Sequence, residues 1–199
     1  MMLVETTSVP VEALPVSEFK DHLRLGSGFS DDGVQDTVLE TYLRSAMAAI
    51  EARTGKVLLE RGFSWTLTAW REVGAQALPV APVSEITALT MIDRHGAESV
   101  IEPERYRLQM SIQRPKLVST GALLPSIGTH GTVEIAFVAG YGPDWEDLPA
   151  DLGQAVFLLG AHFYEHRAGF MSSDMAIPFE VSLLIDRYRT VRLFGEGAR

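Results

Sequence analysis

Apolar positions recur with period two from Thr132 to Val138: Val133, Ile135 and Phe137 point one way, Thr132 and Glu134 the other. That alternation predicts a half-buried β-strand. The run Ala139-Gly140-Tyr141-Gly142-Pro143 ends it, because Gly relaxes the backbone and Pro removes a donor. The period then changes to that of a helix. Leu148, Leu152, Ala155, Val156, Leu159 and Phe163 share one face, and Phe157 and Leu158 widen it. Asp147 is placed as N-cap, Pro149 in the first turn, Asp151 at the positive end of the dipole and Gly169 as the stop. A helix this apolar must be covered on most sides.

Residues 1–15 lack a clear period and hold Pro10 and Pro15, so they read as a loose extended arm. A short helix follows, with Ser17 as N-cap, Phe19 and Leu23 on one face, and Gly26 as the stop. Ser30-Asp31-Asp32 opens a second helix. Its stripe is Leu39, Tyr42, Leu43, Ala46, Met47 and Ile50, and Thr54-Gly55 ends it. From Phe63 the texture turns to strands: 63–68, 86–92 with the turn Asp93-Arg94-His95-Gly96, 106–110, and weakly 116–120. Pro178 is placed to start a last helix whose stripe is Val181, Leu184, Ile185 and Tyr188.

The pattern gives an α+β class. It predicts a mainly helical core of about four helices, with a β-rich insertion between the second and third long helices. The boundaries are 1–15 arm, 16–60 N-terminal helices, 61–139 insertion, 140–194 C-terminal helices and 195–199 loose tail.

The chain has 199 residues and a formal charge of −9, placed mainly at its two ends. Residues 1–60 carry 5 basic and 10 acidic side chains, residues 61–140 carry 7 and 7, and residues 141–199 carry 5 and 9. Phosphate gripping needs clustered Lys and Arg, so nucleic-acid binding is disfavoured. With 0 cysteines, disulfides, thiolate catalysis and Cys-based metal sites are excluded, and a reducing compartment is the natural setting. The N-terminus has no basic region or apolar core of a secretory signal, and no apolar run is long enough to span a membrane.

Five stretches raise chemistry. His162-Phe163-Tyr164-Glu165-His166 matches H-x-x-E-H, with two His one turn apart as metal ligands and Glu165 as general base. A small zinc hydrolase is therefore one reading. The plainer one is two His complementing the negative end of a core helix. Gly140-Tyr141-Gly142 follows a strand and precedes a helix, but Asp144, Glu146 and Asp147 stand where a pyrophosphate would lie, so it reads as a tight turn. Gly55-Lys56 lacks the Ser or Thr of a phosphate loop. Arg187, Arg189 and Arg192 crowd one end of the last helix, as a solvated face or as a docking element with Tyr188 and Phe194 as aromatic anchors. Trp145 is a further anchor or a cap on the core.

Four blocks, in order, resemble the head–tail connector (adaptor) proteins of long-tailed phages. The first is Val16-Ser17-Glu18-Phe19-Lys20-Asp21-His22-Leu23-Arg24-Leu25. The second is Tyr42-Leu43-Arg44 with Ala49-Ile50-Glu51-Ala52-Arg53-Thr54-Gly55. The third is Ala139-Gly140-Tyr141-Gly142, Leu148-Pro149, Gln154-Ala155 and Tyr164-Glu165-His166-Arg167, and the fourth is Leu183-Leu184 with Tyr188-Arg189. The length of the middle section is similar to that of the longer version found in prophages and gene-transfer particles. The resemblance implies a structural virion protein, made in the bacterial cytoplasm and carried in the neck. It implies a homo-oligomeric ring, usually twelvefold, beneath the portal. Such a ring extends the DNA channel without specific binding and recruits the head-closure (stopper) protein. Carried onto this chain, it makes Arg187, Tyr188, Arg189, Arg192 and Phe194 candidate portal contacts. It implies no catalytic residues and no cofactor; His162 and His166 are metal ligands only in the hydrolase alternative. Another neck role, stopper or tail completion, is the remaining alternative.

Overall fold

A computed structural model describes residues 2–25, 35–166 and 177–189. The elements run β1 Met2–Glu5, α1 Val16–His22, α2 Asp36–Thr54, β2 Arg61–Leu67, β3 Ala75–Ala77, β4 Val83–Ile92, β5 Glu98–Val100, β6 Tyr106–Gln109, β7 Lys116–Ser119, β8 Thr132–Ala139, α3 Ala150–Glu165 and α4 Phe179–Ile185. Among the described residues, four α-helices and two antiparallel sheets make the fold α+β.

β8 is the centre of the larger sheet, whose order is β1-β2-β8-β4-β5. Val133, Ile135 and Phe137 of β8 are buried on its inner face, as the alternation predicts. Phe137 stands opposite Phe63 of β2, and their rings stack at 5.6 Å. The smaller sheet, β3-β7-β6, supplies Leu117 and Tyr106 to the same core. β4 is longer than the stretch that reads as a strand, because two register shifts break its alternation near Glu85 and Ala88.

The helices form a second core. Leu39, Leu43, Ala46 and Ile50 of α2 meet Leu152, Val156 and Leu159 of α3, with Val181 and Ile185 of α4 closing the group. Gly55, with φ of 68°, ends α2 in the left-handed conformation and donates its N–H to Glu51 O. Gly160 lets α1 reach α3, since a Cβ there would come within 2.9 Å of Phe19 Cζ.

Several expectations change. The interior is shared between a helical and a β cluster, where the pattern suggested a mainly helical core. The strands of 61–139 are not self-contained, because β1 from the N-terminal arm completes their sheet. That arm pairs with β2 from Met2↔Thr66 to Glu5↔Phe63. Helix α1 begins at Val16 after Pro15, without a cap from Ser17. Helix α3 begins at Ala150 with Pro149 as N-cap, two residues past Asp147. Asp147 instead closes a 3-10 turn at Trp145–Asp147, where its carboxylate accepts the Asp144 N–H at 3.1 Å. Leu148 is extended, as a residue before proline prefers, so the helix cannot start earlier. The Ser30-Asp31-Asp32 start and the stops at Gly26 and Gly169 lie outside the described residues. No helix among the described residues is long and apolar enough to cross a membrane.

Candidate functional site

The end of α4 is where the candidate partner contacts fall, and α3 holds it. Tyr188 is buried; its hydroxyl donates to Asp151 Oδ1 at 2.6 Å. Arg187 donates to the Tyr188 hydroxyl at 2.5 Å, reaches Asp151 Oδ2 at 2.7 Å, and lies over the Tyr188 ring at 4.7 Å. Asp151, read as a dipole partner of α3, thus also anchors the turn that follows α4. Tyr188 faces inward as part of that anchor, not outward as a free aromatic. Arg187 and Arg189 are the exposed cations, and Arg189 meets Asp186 at 3.1 Å. Arg192 and Phe194 lie outside the described residues.

Tyr141 of the Gly-Tyr-Gly turn packs beside this group. Its phenol is pushed up to about 12, first by burial, then by the charge Tyr188 gains on ionising and by the Asp151 carboxylate, with Arg187 opposing. A tyrosine whose folded pKa exceeds its unfolded value of about 10 favours the folded state until the unfolded chain ionises. Stability is therefore expected to fall as pH rises from about 10 towards about 12. Tyr141→Phe should lose less stability over that window, read as the difference between the two proteins' urea midpoints. The glycines of this turn are steric. A Cβ on Gly140 would run into the Glu60 backbone, and one on Gly142 into the Asp147 carboxylate. The loop is a tight turn against β2, not a phosphate cradle. Lys56 is buried too, bonded to Gln113 Oε1 at 2.9 Å, and burial lowers its ammonium pKa.

The H-x-x-E-H residues sit at the end of α3. The His162 and His166 rings are 4.2 Å apart and tilted 34°, and His166 Nδ1 lies 2.9 Å from His162 O. His162 and Glu165 line a groove of about 510 Å³ together with His22 and Glu180. No group of three side chains among the described residues is arranged to hold a metal. Tyr164, between them in the motif, packs edge-on against Tyr42 of α2 at 6.0 Å. The motif thus spans a helix contact and a helix end.

Trp145 does cap the core. It stacks on Phe157 at 5.3 Å and lies over Gly153. Its edge reaches a cleft of about 370 Å³ rimmed by Glu12, Glu18, Asp36, Glu40, Asp144 and Glu146. What sequence pattern missed is exposure: Phe179 and Leu183 of α4 are 77% and 68% exposed, on the side away from Val181 and Ile185. Their spacing of four was the available signal.

No family model and no curated protein matches this chain. Solved structures do. One is the neck of an empty gene transfer agent (GTA) particle computed with C6 symmetry, at 52% identity, 98% of both chains and a TM-score of 0.89. A second is the virion of a native GTA particle, at 52% identity, 98% of both chains and 0.87. The third is the neck of a native GTA particle computed with C12 symmetry, at 49% identity, 98% of both chains and 0.85. Identity of this size over almost the whole length shows the family as well as the fold, and the chain belongs to the neck proteins of gene transfer agent particles.

Proposed function

We propose that the chain is the head–tail adaptor of a gene-transfer or phage particle. It forms a ring under the portal, extends the DNA channel and recruits the stopper. The observation that carries this reading is the 49–52% identity, over 98% of the chain, to necks of GTA particles. The role is structural, with no catalytic step. Copies related by C6 or C12 symmetry must meet head to tail, each using two different surfaces. The net charge of −9 suits a channel that DNA passes without adhering.

The portal contact in this reading is the end of α4, through Arg187 and Arg189, with Arg192 and Phe194 beyond the described residues. Tyr188 holds that end against α3. Arg189 is the cleaner test, because its pair with Asp186 is exposed on both sides and adds little to stability. Arg189→Glu is expected to leave the melting temperature unchanged and to weaken portal binding roughly tenfold, the cost of reversing one interfacial charge. Unchanged binding to purified portal would remove Arg189 from the interface. Deleting the gene tests the role itself: the adaptor reading expects filled heads and free tails that do not join.

A further inference from the structure

Among the described residues no strand pairs with the outer side of β1 or of β5, and β1, though short, lacks three of the features that blunt an edge. Its sequence is Met2-Leu3-Val4-Glu5, without Pro, Lys or a bulge, and all four side chains are exposed. Thr6 N–H donates to Gly62 O at 2.8 Å. The alternation of an antiparallel ladder then turns Val4 and Met2 towards β2 and leaves the N–H and C=O of Leu3 and Glu5 pointing outward. β5 is the opposite edge, exposed along its length.

The register ties the two edges together. Met2 faces Thr66, Thr66 faces Glu134, Glu134 faces Thr90, and Thr90 faces Val100. Residues paired across strands share a face, so Met2 and Val100 terminate one row on the outer face of the sheet. They are 62% and 66% exposed, two apolar side chains at opposite ends of a row whose middle is polar. Val4, 43% exposed, stands beside Met2 on that face. Within one copy the row's ends are four strand spacings apart, roughly 19 Å. Between copies they can meet.

We propose that β1 of one copy adds to the β5 edge of the next, joining neighbouring subunits sheet to sheet and covering Met2 and Val4 with Val100. The inference rests on the ring reading above, since a head-to-tail ring needs two different surfaces per copy. Strand addition supplies main-chain hydrogen bonds, and the apolar row sets which faces align.

The chain has 0 cysteines, so introduced ones report without background. In purified particles carrying Met2→Cys and Val100→Cys, a short bis-maleimide is expected to give a ladder of covalent multimers on a denaturing gel. Either single variant should stay monomeric. Leu3→Pro removes an outward N–H without costing a bond to β2, and should weaken subunit association roughly tenfold per contact, the loss of one hydrogen bond plus the ring's bulk. Leu3→Ala, which keeps the N–H, should assemble, and circular dichroism should show both variants folded. Rings in Leu3→Pro together with an uncrosslinked double variant would overturn the edge pairing and leave the ring intact. Particles in which the native chain forms no ring would overturn both.

Discussion

Phe19→Ala is expected to cost about 3–5 kcal/mol of folding stability, the range for removing a fully buried aromatic. Phe19 is 0% exposed and stacks on Phe157 at 5.8 Å. Its ring tip occupies the gap left by Gly160, a position with no side chain to collapse into the space. Urea unfolding measures the loss as a fall in midpoint at constant slope. Phe19→Leu should cost under about 1.5 kcal/mol, because it fills much of the same volume. A loss below about 1 kcal/mol for the alanine variant would mean that α1 is not docked on α3.

The second large effect belongs to Glu51. Its carboxylate meets Arg61 at 2.6 and 3.0 Å and accepts the Leu58 N–H at 2.8 Å. Arg61 is drawn onward to Glu5 of β1 at 3.0 Å, so one guanidinium ties α2, β2 and the edge strand. Burial works against the Arg61 charge, but the hydrogen bond and charge of Glu51, then the charge of Glu5, outweigh it and raise its pKa. Glu51→Ala removes the main partner and leaves Leu58 N–H unpaired, for an expected cost of about 3–5 kcal/mol. Glu51→Gln keeps an acceptor for Leu58 and should cost less, about 1–3 kcal/mol. Because the Arg61 and Glu51 side chains are only 9% and 15% exposed, added salt should change the difference little. A gap that closes in high salt would contradict this arrangement.

The long, strongly periodic elements were legible in the sequence: β8, the body of α3, and the α2 stripe. Each buries one face against a large core, so burial writes the period directly into the chain. Short or exposed elements leave no such trace. β3 and β5 span three residues each, and β1 is exposed on both faces, so none of the three has an alternation to read. β4 loses its period at two bulges. The Arg61–Glu51 contact joins a helix to a strand across a turn, and no spacing rule announces it. At the candidate site, the cluster of arginines was visible, but the inward turn of Tyr188 was not. Tyr188 extends the apolar stripe of α4 and also carries a hydroxyl, and only the position of Asp151 on α3 decides which property governs its direction.

In the proposed adaptor role, this chain forms the ring between portal and stopper. Its copy number in purified particles, measured by quantitative mass spectrometry against the portal and paired with electron microscopy of the neck, tests that most directly. Parity with the portal is expected, with density for this fold in a ring immediately beneath it. Absence from complete particles, or a position elsewhere in the neck, would contradict that role.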